Sequence, residues 1–231
     1  MVREPDARRA PLNRDRVLHT AVALADDVGL DAVSMRRLAQ ELGVVPMALY
    51  KHVAHKDELL DGMVDVVVAE IGPPDPDATG VTAVRQRVLA ARSALLRHRW
   101  AARLLESRTA PTPAVLAYQD GMIGMFRAGG FSGDLTHHAM HALGSRVLGF
   151  TQELIHTAPA ADPAAQAAGI RLMAGTYPHI AEIALRADHD DGSTVAPGCD
   201  DQFEFEFALD VLLDGFERLR SQGWSSAGGP Q

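Results

Sequence analysis

Ser34-Met35-Arg36-Arg37-Leu38-Ala39-Gln40-Glu41-Leu42-Gly43-Val44-Val45-Pro46-Met47-Ala48-Leu49-Tyr50-Lys51-His52-Val53 spaces its residues as two short helices around a tight turn. Ser34 is placed as an N-cap, Leu38, Ala39 and Leu42 share one helical face, and Gly43 ends that helix with a permissive backbone. Pro46 suits the first position of the next helix, because the N–H it lacks would be unpaired there anyway. Leu38, Leu42, Val44 and Leu49 then form one shared apolar core, with small Ala39 where the two helices approach. Upstream, Val17, Ala21, Leu24, Ala25 and Val28 recur on one face of a helix that Gly29 stops, and this helix can pack across the pair. The expectation is a three-helix DNA-binding module of the helix-turn-helix kind. The competing reading of the same pattern is an ordinary helical hairpin in an all-α protein.

The rest of the chain extends the same periodicity. A fourth helix starts at Lys56, with Asp57 and Glu58 at the positive end of its dipole, and runs towards Ile71. Residues 72–77 are rich in proline and glycine and break it. Apolar residues return at helical spacing over 81–96, over 116–126 and in a long helix over 135–155. A further helix runs to about Met173, and another turn of helix starts at Tyr177-Pro178. Residues 188–201 are polar and loop-like. The last helix, 203–220, carries two apolar stripes. One, containing Phe205, Leu209, Leu212, Phe216 and Leu219, is enough for a core, so the second, Phe203, Phe207 and Val211, predicts a partner surface. The expected fold class is all-α: a disordered arm over 1–12, a helix-turn-helix domain over 13–60, a helical effector-binding and dimerisation domain over 61–221, and a disordered tail over 222–231.

Composition narrows the functional classes. With 231 residues, 47% hydrophobic and 23% charged, the chain can bury a real core and is neither disordered nor fibrous. No apolar run reaches the roughly 18 residues of a membrane span, and the start lacks the apolar centre of a secretory signal, so no membrane partner is expected and the expected compartment is the cytoplasm. The single cysteine, Cys199, has no metal-type spacing around it and is read as inert. A net charge of −8 argues against a nucleic-acid partner only on average. Residues 1–60 hold 9 basic and 9 acidic side chains, whereas 61–231 hold 13 and 21, so the excess acid belongs to the second part. A neutral head beside an acidic remainder predicts two modules with different partners, the second acting as a sensor.

Residues 34–44, Ala48-Leu49-Tyr50-Lys51-His52-Val53 and Lys56-Asp57-Glu58-Leu59-Leu60 resemble the N-terminal signature of TetR-family transcriptional regulators, over about residues 13–65. Gly130-Phe131-Ser132, His141-Ala142-Leu143-Gly144 with Leu148-Gly149-Phe150, and the run from Phe205 through Leu209 to Leu212-Leu213-Asp214-Gly215 resemble a tetracycline-repressor type of C-terminal domain. The resemblance makes Arg36 a base-contacting residue at the start of the second helix. Ser34, Tyr50 and Lys56 suit phosphate, and Arg37 and Lys51 are further phosphate candidates. Pro46 and Met47 occupy the first turn of the recognition helix and have no side-chain donor, which leaves thymine methyls and groove shape to read. His52 reads best as a packed or backbone-bonded ring. His55 stands where the family has a capping serine or similar residue, which leaves the cap of the fourth helix open. Arg3, Arg8, Arg9, Arg14 and Arg16 are candidates for a basic arm, against a merely disordered end.

The resemblance also implies a homodimer on operator DNA and a small effector inside the second module that weakens DNA binding. Candidate lining residues are Trp100, Met122, Phe126, His138, His141, Ser145, Phe150, Glu153, Met173 and Tyr177, with core packing the simpler reading of each apolar one. Tetracycline repressors hold a drug-bound magnesium with two histidines and a glutamate. Here the matching positions are about Leu105 or Glu106, Ser145 and Glu153, so only the glutamate remains and the expected effector is apolar or aromatic, with no metal and no cofactor. His137 and His141 have i, i+4 spacing but lack a third ligand, and no catalytic motif is present. Two alternatives stay open: a metal-dependent helical enzyme with an incidental helix-turn-helix, and an effector-free architectural DNA-binding protein.

Overall fold

The side-chain oxygen of Asn13 accepts the Arg16 N–H at 2.8 Å from an extended-backbone cap, so the first helix, α1, begins at Arg14 and runs Arg14–Val28. Arg14 and Arg16 therefore belong to a helix and not to a basic arm ahead of it. The structure, a computed structural model, describes residues 11–149, 168–169, 171–172, 174–186 and 201–228. Arg3, Arg8, Arg9 and Cys199 lie outside the described residues, as do residues 150–155 of the expected long helix.

A short 3₁₀ turn, Leu30–Ala32, leads to α2 (Met35–Leu42), capped by Ser34, whose hydroxyl accepts the Arg37 N–H at 3.2 Å. Gly43 then takes a left-handed conformation, φ 67° and ψ 35°, that a side chain would disfavour. It lets the Gly43 and Val44 N–H groups bond back to Gln40 and Ala39, at 3.1 and 2.9 Å, and satisfy the last carbonyls of α2. The third helix, α3 (Pro46–Leu49), is shorter than expected. The His52 and Val53 N–H groups both turn back onto the Leu49 carbonyl, which ends it in a turn.

The fourth helix, α4 (Lys56–Ala69), settles the open question of its cap. His55 Nδ1 accepts the Glu58 N–H at 3.1 Å, while Glu58 returns a carboxylate oxygen to the Ala54 N–H at 2.6 Å. An imidazole lone pair thus does the work of a serine hydroxyl in a reciprocal capping arrangement. Leu38, Leu49, Leu59 and Met63 are completely buried beneath α1, together with Val17, Val33 and Val53. Gly62 makes this packing possible. A Cβ there would sit 2.5 Å from a Leu18 methyl, so a larger residue would force the Leu18 side chain to shift where α1 meets α4.

Three more helices follow: α5 (Gly80–Arg97), α6 (Arg99–Ser107) and α7 (Pro113–Ala128). The break at His98 between α5 and α6 has no signal in the apolar periodicity. Helix α4 packs on α5, α6 and α7, and α1 also meets α6, so the first compact unit runs to Gly129. The boundary expected at 60/61 falls inside α4.

The second unit begins at Gly130. It contains α8 (Gly133–Gly149), α9 (Pro178–Arg186), α10 (Asp201–Ser221) and a 3₁₀ turn, Ser226–Gly228. Helices α8 and α10 pack together. Leu135, Ala139 and Leu143 of α8 and Phe205, Leu209, Leu213 and Phe216 of α10 are buried; of the first expected stripe, Leu212 and Leu219 are only half-buried, and Leu213, outside it, is in the core. Arg146 ties the pair by donating to the Glu204 carbonyl at 2.7 Å. The end of the chain is not loose as far as it is described. The Ser226 N–H and hydroxyl donate to Asp134 at 2.6 and 2.8 Å, and the Trp224 ring packs edge-on against His138. Among the described residues there is no strand, and no helix is long and apolar enough to cross a membrane.

Candidate nucleic-acid interface

The turn and two short helices leave one face of the first unit uncovered. Leu49 anchors α3 in the core, so helical geometry turns Val45, Met47 and Tyr50 outward, 68, 71 and 44% exposed. Arg36 and Arg37 on α2, Lys51 after α3 and Lys56 at the start of α4 are all exposed around them. Among the described residues none forms an ion pair with these four cations. The face therefore offers an apolar centre ringed by unneutralised charge, and α4 adds the free N–H groups of its first turn next to Lys56. Ser34 is exposed, but its hydroxyl is already engaged as a cap. Pro46 and Met47 are exposed on this face and carry no side-chain hydrogen-bond donor. His52 is half-buried, and its backbone N–H is bonded to Leu49.

A polar cluster, built from residues far apart in sequence, lies near the C-terminal ends of α1 and α4. His98 is 7% exposed. Its Nδ1 is 2.9 and 3.0 Å from the two carboxylate oxygens of Asp26 on α1, and its Nε2 is 3.0 Å from Glu70, just past the end of α4. The Trp100 indole donates to Asp26 at 2.6 Å, and Arg97 donates to Glu70 at 2.7 and 3.1 Å. Burial pushes the Glu70 carboxyl up, but the hydrogen bonds and charges of Arg97 and His98 outweigh it and hold the group below its ordinary value. At the other end of α4, Arg108 pairs with Asp57 at 3.2 Å and Asp61 at 2.8 Å. Ionic contacts thus tie both ends of α4 to the region of α6.

The expected effector residues are divided between the two units. Trp100 packs against the helix-turn-helix core and donates its N–H to Asp26. Met122 and Phe126 are buried at 2 and 0% in the first unit. In the second unit His138, His141 and Ser145 lie on the exposed side of α8, and Tyr177 is 54% exposed. His138 is 3.6 Å from Asp134. His137 and His141 meet edge to face, 4.6 Å between ring centres, and among the described residues no group of three or more His, Cys, Asp or Glu side chains is arranged to hold a metal. Phe150, Glu153 and Met173 lie outside the described residues. The second apolar stripe of α10 is open, with Phe203, Phe207 and Val211 exposed by 55, 59 and 57% and the two phenyl rings stacked 6.5 Å apart.

Comparison with known proteins covers nearly the whole chain. Residues 17–63 match the family described as bacterial regulatory proteins, tetR family, and residues 73–220 match the tetracyclin repressor-like, C-terminal domain. The HTH-type transcriptional repressor DrrR1 of Streptomyces coeruleorubidus is 30% identical over 224 residues, covering 91% of this chain and 79% of its own length. The tetracycline repressor protein class C of Escherichia coli is 28% identical over 216 residues, covering 90% and 92%. The solved structure of apo ActR from Streptomyces coelicolor superposes with a TM-score of 0.73 at 30% identity, covering 94% of this chain and all of ActR. ActR in complex with actinorhodin gives 0.69 at 30% identity, covering 90% and 98%.

Proposed function

This chain belongs to the tetR family of bacterial regulatory proteins, and from that premise we propose that it is a dimeric repressor held on a palindromic operator and released by a small molecule. It is a DNA-binding transcriptional regulator with an N-terminal helix-turn-helix and a helical C-terminal domain. The observation that carries the operator reading is the exposed face of α2 and α3, with Arg36, Arg37, Lys51 and Lys56 unneutralised around Met47 and Tyr50. Arg36 reads a base edge, Pro46 and Met47 read methyl groups and groove shape, and Ser34, Arg37, Tyr50, Lys51 and Lys56 position the backbone. One such head covers a half-site. The open stripe of Phe203, Phe207 and Val211 on α10 pairs two copies so that two half-sites are read together. We place the protein in the cytoplasm, with its DNA, and assign it no catalysis. The relatives are named as transcriptional repressors and regulators, which favours neither a metal enzyme nor an architectural protein.

The effector belongs to the C-terminal domain, over about residues 61–221. ActR, similar to this chain, has been crystallised with (S)-DNPA and with actinorhodin, which supports an occupied ligand site in this family member as well. The magnesium of a tetracycline repressor does not fit these residues. At about Leu105 or Glu106 and at Ser145 the two histidines are missing, and the carboxylate of Glu153, with at most that of Glu106, does not reproduce the set of two histidines and a glutamate. The effector is accordingly apolar or aromatic and held by burial, oriented by one or two hydrogen bonds from His141, Ser145 or Glu153. Fluorescence anisotropy of labelled operator, titrated with aromatic compounds in the presence of EDTA, tests this. Release that persists with EDTA is expected. Tight tetracycline binding that requires Mg²⁺ and is lost in Glu153→Ala would overturn it.

A further inference from the structure

His98 is a buried titratable ring outside the proposed DNA and effector contacts. A neutral imidazole has one N–H and one lone pair, whereas a carboxylate oxygen only accepts. Here both ring nitrogens lie within 3.0 Å of carboxylate oxygens, Nδ1 against Asp26 and Nε2 against Glu70. Both contacts are satisfied together only when both nitrogens carry protons. Asp26 sits in the last turns of α1, and Glu70 is the residue that closes α4. These are the two helices that frame the helix-turn-helix: α1 packs across α2, and α4 starts beside the DNA-binding face. His98 itself is the joint between α5 and α6.

We propose that His98 is a positioning residue, a protonated strut that fixes the angle at which α1 and α4 hold the reading head against the α5–α6 joint, so that operator affinity depends on the charge of this one ring. The proposal rests on the DNA-binding reading above. Loss of the ring proton leaves a lone pair facing a carboxylate on one side. That contact turns repulsive, and α1 or α4 keeps only its second hold, Trp100 on Asp26 or Arg97 on Glu70. A head held less firmly has to be ordered again when it meets the operator, which lowers affinity. The direction follows: the contribution of His98 is present while both ring nitrogens carry protons and is lost with either proton.

Arg97 at the end of α5 holds the second oxygen of Glu70, and Trp100 on α6 donates to Asp26. The cleft between α1 and α4 that reaches Glu70 is lined by Arg14, Asp15, His19 and Asp65. His55 works in the opposite sense, since its cap on α4 needs a neutral Nδ1. The comparison therefore has to be a ratio between the wild-type chain and a variant at the strut, in which the shared pH dependence of His19, His55 and the DNA contacts cancels.

Operator affinity is measured by fluorescence anisotropy over a window from acid to mildly alkaline pH, for the wild-type dimer, His98→Gln and Glu70→Gln. The Glu70→Gln change keeps the size of the partner but gives it an amide that can donate to a neutral ring, so it should fold and should not need the charge. Wild type is expected to lose about tenfold more affinity across the window than either variant, a change of the size that one charge-assisted hydrogen bond supports. Parallel profiles for all three proteins, with operator binding intact, overturn the strut alone. Absence of specific operator binding in the wild type at every pH overturns the DNA-binding reading and the strut with it.

Discussion

Replacing Phe207 by glutamate asks whether the open stripe of α10 is where two copies of the chain meet. Phe207 is 59% exposed in the single chain, so the change removes little from the core and should leave the protomer folded. A phenylalanine side chain presents on the order of 200 Å². About 120 Å² of it would pass under a partner, contributing about 3 kcal/mol at about 25 cal/mol per Å². A two-fold interface uses the residue twice, which raises the loss to about 6 kcal/mol, or about four orders of magnitude in the dimer Kd, as an upper value. Glutamate adds a desolvated charge to each side of the interface. Sedimentation velocity at micromolar protein, with far-ultraviolet circular dichroism as the control, should show a helical monomer, and operator binding should fail with it. A variant that stays dimeric with the same Kd would refute the assignment and place the interface elsewhere.

Arg36→Ala should cost about 1 to 3 kcal/mol and relax preference at one base pair per half-site, whereas Lys56→Ala should weaken all sequences alike and lower the salt slope by about one; equal losses on operator and random duplexes for both would exchange or cancel those roles. His55→Ala should lower stability by about 1 kcal/mol in urea unfolding, because α4 loses the acceptor for the Glu58 N–H, and His55→Ser should restore it; a neutral His55→Ala would show that the ring does not cap. Glu70 is held below its ordinary value of 4.5, so its contribution is fully present above that value and is lost as pH falls through the lower, folded-state value. Because its side chain is 35% exposed, the effect is modest, and the thermal midpoint of Glu70→Gln should lie below wild type at neutral pH and converge on it in acid; a gap that widens in acid would contradict the sign.

Local chemistry carried the reading where partners lie close in sequence. Ser34, Gly43 and Pro46 mark the limits of α2 and α3 because caps, a left-handed turn and a missing N–H are properties of a few adjacent residues. The buried face of α10 followed in the same way from the spacing of Phe205, Leu209 and Phe216. What escaped depends on distant partners. The break at His98 interrupts an apolar pattern that looks continuous, because the groups that hold the ring are 72 and 28 residues away. The Trp100 N–H on Asp26, 74 residues upstream, and the Leu18 methyl against Gly62 are likewise contacts between distant stretches. The tail resembled loose chain because Asp134, which holds Ser226, lies 92 residues upstream. The cap of α4 was legible only as a departure from serine, since a histidine lone pair in that role has no strong sequence signal.

Selection of binding sites from a pool of random duplexes by the purified protein tests the central claim most directly. The account predicts enrichment of an inverted repeat whose two half-sites are centred about one helical turn, or a whole multiple of it, apart. Within each half-site one position should lose its preference when the selection is repeated with Arg36→Ala. Retention of duplexes without any shared motif, or of a single unrepeated site insensitive to Arg36→Ala, would contradict it.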